Sequence, residues 1–136
     1  MPTNAIRIKT DPDTYEPFKI AQAYRVGDLI YVSGQAAIDK GGNLVGVGDF
    51  DAQADCAFEN LDWVLRAGGS DLSKVVKVNI YLKDMSNFPK IVGLREKYFT
   101  APYPADTIVE ITSLALPELE IEIEAIALAD GEIIDV

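Results

Sequence analysis

Glu120-Ile121-Glu122-Ile123-Glu124-Ala125-Ile126-Ala127-Leu128 alternates without interruption near the end of the chain. Successive side chains of an extended backbone point to opposite faces, so the run reads as a strand whose three glutamates project together with Ile126 and Leu128. A sheet covered by helices on one face only should show such a half-polar second face. Solvation is sufficient for the glutamates alone. Their apolar companions also fit a surface that packs against another subunit.

Working outward, Thr107 to Thr112 is a second strand candidate, separated from the first by a loop around Pro117. Before it, Pro102 and Pro104 forbid continuation of a helix predicted over Phe88 to Thr100, which has Pro89 in its first turn and Ile91, Leu94, Tyr98 and Phe99 as its apolar stripe. Residues 74 to 82 alternate again, with Val76, Val78, Ile80 and Leu82 expected on one side and Lys77, Asn79 and Tyr81 on the other. From Asp51 the period becomes helical, with Ala54, Phe58, Leu61 and Leu65 on one face. Asp51 is the expected cap, and Gly68-Gly69 stops the helix. Upstream, Ala5 to Lys9 and the two pieces of Ala23 to Ser33 around Gly27-Asp28 read as strands. The order β, β, β, α, β, α, β, β predicts an α+β layer, mostly antiparallel, with two helices on one sheet face, and one domain over residues 1–136.

Composition narrows the function classes. There are 22 acidic against 12 basic residues, and a net charge of -10 repels phosphate backbones, so no nucleic-acid partner is expected. No apolar run reaches the roughly 20 residues of a bilayer span, so no membrane partner is expected either. The first residues lack the features of a secretory signal and the only cysteine is Cys56, which predicts a cytoplasmic protein. Histidine is absent, which removes the commonest general base and metal ligand. The expectation is therefore no metal and no cofactor, with any chemistry left to carboxylates, hydroxyls, backbone and water. Cys56 has no cation beside it in sequence to stabilise a thiolate and reads as packing. Tyr31, Tyr81 and Trp63 read as core or interface aromatics.

The runs Gly27-Asp28-Leu29-Ile30-Tyr31-Val32-Ser33-Gly34-Gln35, Asn60-Leu61, Val75-Val76-Lys77, Tyr81-Leu82-Lys83-Asp84, Pro104-Ala105 and Ile121-Glu122-Ile123-Glu124-Ala125-Ile126-Ala127, in this order, resemble the RidA/YjgF family from about Glu16 to Leu128. The resemblance implies a chorismate-mutase-like fold and a homotrimer whose sheets form a central barrel. It also implies small-metabolite clefts between neighbouring subunits. In its best-known members the activity is hydrolysis of imines and enamines to keto acids and ammonia, which needs a positioned water, a carboxylate and a cation to hold the substrate.

Residue by residue, the resemblance makes Glu122 the water-orienting catalytic carboxylate and places Ser33 and Gly34 in the floor of the cleft. The remaining ligand-contacting positions are Phe18, Val92, Asp106, Thr107 and Ile108. Four of these depart from the family pattern: Phe18 stands for a tyrosine, Val92 for an asparagine, Ile108 for a cysteine, and Asp106 for the arginine that clamps the substrate carboxylate. The last change reverses a charge, so a substrate different from that of arginine-bearing members is expected. A non-catalytic trimeric metabolite-binding module is the alternative, and a ribonuclease or translation inhibitor is the weakest reading. Without the resemblance, Glu122 would read as an exposed strand carboxylate between Glu120 and Glu124. Side chains two apart on a strand lie only about 7 Å apart, so clustering in a partly dry cleft could raise one pKa. Asp106 reads either as a turn residue after two prolines or as a group that recognises a cationic or hydrogen-bond-donating ligand.

Overall fold

Alternation and helical spacing resolve into six strands and two helices in the computed structural model, which describes residues 1–136. The elements are β1 (Ala5–Ile8), β2 (Ala23–Val26), β3 (Leu29–Gln35), α1 (Phe50–Ala67), β4 (Val75–Leu82), α2 (Phe88–Tyr98), β5 (Ala105–Glu110) and β6 (Ile121–Leu128), with short 3-10 helices at Glu16–Phe18, Leu72–Lys74 and Met85–Asn87. They form one sheet in the order β1-β2-β3-β6-β4-β5. Every pairing is antiparallel except β4 with β5, which α2 joins by a crossover. The last strand therefore lies inside the sheet, between β3 and β4.

Both helices cover one sheet face, and the core of 22 buried residues lies between the layers. The sheet supplies Ile30, Val32, Val78, Ile80, Leu82, Ile121, Ile123, Ala125 and Ala127, against Ala54, Ala57, Phe58, Leu61, Val64 and Leu65 of α1 and Ile91 of α2. Each large aliphatic side chain buried here contributes about 1.5–3 kcal/mol by leaving water. Phe58 stacks on Tyr98 with centroids 4.8 Å apart and meets Phe99 edge-on at 5.7 Å, which ties α1 to the end of α2. No helix is long and apolar enough to cross a membrane.

Several local expectations are corrected. The cap of α1 is Asp49, which accepts from the Ala52 N–H at 3.1 Å. Asp51 stands in the first turn, where its charge still complements the helix dipole. The chain leaves α1 through Gly68 and then Gly69, whose φ of 81° is open to glycine at no steric cost. In β4 the pairing with β6 shifts between Val75 and Lys77, so Val75 takes the buried position assigned to Val76 and alternation resumes at Val78. The second helix ends at Tyr98, because Phe99 is already extended (φ -113°, ψ 164°) and turns its ring into the core. Strand β5 begins at Ala105, two residues earlier than the proline pair suggested, because parallel pairing with Lys77 starts there. Glu120 lies just outside β6, held where the Gln53 side chain accepts from its N–H at 2.8 Å and donates to the Glu118 carbonyl at 2.9 Å.

Candidate functional site

The uncovered sheet face carries Glu122 and Glu124. Along β6, Glu122 stands opposite Tyr81, Glu124 opposite Asn79, and Ile126 between Tyr31 and Lys77. Glu124 is tied down, accepting from the Tyr81 hydroxyl and from the Asn79 amide at 3.2 Å. Lys77 donates to the Thr107 hydroxyl at 2.7 Å on the same face. Glu122 accepts no hydrogen bond from any side chain, and its carboxylate is half-buried. Burial raises its pKa above the usual glutamate value, and the neighbouring Glu124 charge raises it further.

Gly34, at the end of β3 where pairing with β6 is irregular, gives this carboxylate its space. A Cβ at position 34 would lie 2.6 Å from Cδ and 2.9 Å from Oε1 of Glu122. The Gly34 carbonyl accepts from the hydroxyl of Tyr15, whose pKa is raised by burial and then by the Glu122 charge. Ser33 holds the preceding turn by donating to the Ala21 carbonyl at 2.6 Å. Phe18 follows Tyr15 on the same 3-10 turn and is 71% exposed, a large apolar ring left mostly uncovered.

The other predicted positions lie elsewhere. A cavity of about 410 Å³ between α2 and the edge strand β5 is lined by Val92, Arg95, Glu96, Tyr103, Pro104 and Asp106. Asp106 is neither a turn residue nor free: it lies within β5 and accepts from Nε of Arg95 at 2.9 Å. Ile108, two residues on and on the same side, packs against the core, whereas Thr107 faces the uncovered side with Lys77. Strand β4 separates β5 from β6, an offset of about 10 Å at ordinary strand spacing. One chain thus brings Tyr15, Ser33, Gly34 and Glu122 together, and separately Val92, Arg95 and Asp106, without joining the two groups.

The sequence by itself singles out neither Tyr15 nor Arg95. Nothing local in the sequence marks Tyr15, since its bond to Gly34 spans 19 residues. Arg95 was within reach: it stands three positions after Val92, and side chains at that spacing share a helix face.

An α+β sandwich of this topology recurs among many solved structures. Residues 9–129 match the family model described as Endoribonuclease L-PSP. A 2-iminobutanoate/2-iminopropanoate deaminase of Dermatophagoides farinae is 32% identical over 129 residues, covering 95% of this chain and 98% of that protein. A RutC family protein of Sinorhizobium fredii is 39% identical over 107 residues, covering 78% and 83% respectively. The crystal structure of a yeast protein superposes with a TM-score of 0.84 at 31% identity, covering 92% of this chain and 98% of that one. RidA from an Antarctic Psychrobacter gives 0.74 at 34% identity, covering 80% and 87%. The chain belongs to this family, which is the RidA/YjgF family its sequence resembles.

Proposed function

We propose that the protein hydrolyses a small imine or enamine to a carbonyl compound and ammonia, with Glu122 managing the protons of the attacking water. The observation that carries this reading is the placement of Glu122 over Gly34, half-buried, without a side-chain donor and with a raised pKa. The deaminase name of the mite relative supports the same reaction class. A protonated C=N carbon is already electrophilic. Water adds to it while the carboxylate takes the water proton; that proton passes to nitrogen, and as ammonia leaves the hydroxyl gives its own proton to the carboxylate and the C=O bond forms. A pKa nearer neutrality suits a group that must both accept and return a proton.

In this reading three chains associate through their bare sheet faces, so that the Glu122 group of one subunit faces the α2–β5 cavity of another. Support comes from the exposed Tyr24, Tyr31 and Val109 on that face and from the separation of the two groups within one chain. Hydrolysis of freshly generated 2-imino acids, followed as loss of imine absorbance, tests the proposal with wild type and Glu122→Gln. Loss of activity in the variant, with the trimer intact by light scattering, is the expected result; an unchanged rate rejects the role of Glu122. The second reading, a metabolite-binding module without turnover, is favoured by one observation: Asp106 reverses the charge at the position of the family's clamp, and its neighbour Arg95 already occupies it. Saturable binding with no hydrolysis of any imine would establish that alternative. Ribonuclease action is the weakest reading, given the charge of -10 and the absence of histidine.

A further inference from the structure

The cavity between α2 and β5 contains an ion pair that is poorly arranged for stability alone. The Arg95 and Asp106 side chains are only 25% and 14% exposed. Two such groups would gain most from a parallel, two-bond contact, in which both carboxylate oxygens are satisfied. Instead Nε of Arg95 meets Oδ2 of Asp106, and Oδ1 of Asp106 is buried with no donor. Neither Nη group of Arg95 has a protein acceptor. Asp106 therefore grips the guanidinium from its side and leaves the terminal two-nitrogen fork unused. That fork matches the geometry of a carboxylate.

Charge limits what this fork accepts. Arg95 contributes one positive charge to the lining, while Asp106 and Glu96 contribute two negative ones. A simple carboxylate gains the fork but meets an excess of negative charge, and a simple amine gains Glu96 but is repelled by Arg95. A molecule with both groups satisfies both, and Val92, Tyr103 and Pro104 offer apolar surface to a short aliphatic chain. We propose that this cavity selects small zwitterions, with Arg95 as the carboxylate anchor, Glu96 as the partner of the cationic nitrogen, and Asp106 as the residue that positions Arg95. The inference rests on the reading of this cavity as the ligand-recognising half of the site proposed above.

Isothermal titration of the intact protein with L-alanine, propanoate and ethylamine tests it, because the last two are alanine lacking the amine and alanine lacking the carboxylate. Alanine should bind at least about tenfold more tightly than either. Arg95→Gln should weaken alanine binding by on the order of tenfold or more. Glu96→Gln, at an exposed position with no other bond to lose, should weaken alanine and strengthen propanoate. Propanoate binding as tightly as alanine in the wild type, alanine binding indifferent to both substitutions, or no saturable binding of alanine would each overturn the proposal. Alanine carries no C=N bond to hydrolyse, so this result is independent of turnover. Failure of imine hydrolysis with alanine selectivity intact would reject the catalytic role of Glu122 and leave the zwitterion site standing.

Discussion

Glu122 fills the space that Gly34 leaves open: its carboxyl group lies where any side chain at position 34 would begin. The atoms in the way belong to the end of a flexible side chain, so the fold can accommodate an added methyl group by moving the carboxylate. Gly34→Ala should therefore fold with a stability change of about 1 kcal/mol or less. Its rate of imine hydrolysis should fall nearly as far as that of Glu122→Gln. Parallel thermal melts and rate measurements check this, and wild-type activity in Gly34→Ala would show that the position of Glu122 is not critical.

Burial and the Glu124 charge hold the Glu122 pKa up, in that order of importance. The acid limb of the kcat/KM profile should accordingly have its midpoint above the ordinary glutamate range, near 4.3. Glu124→Gln should lower that midpoint without abolishing activity, because the larger cause, burial, remains. An acid limb unmoved by Glu124→Gln would show that the two carboxylates are not coupled.

The same shift has a sign for stability. A folded-state pKa above the unfolded one means that the protonated carboxyl favours the fold; this contribution is complete below the unfolded pKa and lost as pH rises through the folded pKa. At neutral pH the ionised Glu122 opposes folding. Glu122→Gln should therefore melt at a higher temperature than wild type at pH 7, with the difference shrinking in acid. Calorimetric scans at two pH values would read it directly.

Reversing the charge at position 106 is not a simple restoration of a family residue. Asp106→Arg would set two guanidinium groups against each other at a partly buried site, with an expected loss of about 3 kcal/mol. The double exchange Arg95→Asp with Asp106→Arg should recover most of that loss. Urea denaturation of wild type, Asp106→Arg, Arg95→Asp and the double variant closes the cycle; equal instability of the single and double variants would show that the pair is not coupled.

Asn60 illustrates a family motif with a structural task. Its amide donates to the carbonyls of Ala36 at 2.9 Å and Ile38 at 2.7 Å, fastening the segment after β3 to α1. Asn60→Leu leaves two carbonyls without this donor and should cost about 2 kcal/mol, with Glu122 chemistry little changed. Denaturation midpoints beside activity at low temperature distinguish this from a catalytic role.

Periodicity made most elements legible, since α1, β4 and β6 each bury one regular set of side chains. It could not distinguish Asp49 from Asp51 as a cap, because both suit the role and only the path of the chain chooses. Nor could it foresee the slip at Val75, which depends on pairing with β6 45 or more residues away. Strand order was likewise hidden: alternation says which residues share a face and nothing about which strand lies beside which. Of the site, the position of Glu122 was supplied by resemblance. The Arg95–Asp106 contact lay outside both routes, because it joins a helix to an edge strand that become neighbours only in the folded sheet.

Strand β6 is the last of the six in chain order, yet it separates β3 from β4. Until residues 121–128 are available, the two halves of the sheet have no common member, and the bed on which α1 packs lacks its middle row. Joining β3 to β6 closes a loop on the order of 90 residues, an entropic cost that must be met before most of the core contacts are gained. Assembly of the sheet therefore waits on the C-terminal strand, and a ribosome stalled before residue 121 would hold a chain with two exposed strand edges and an open apolar face, a natural substrate for chaperones.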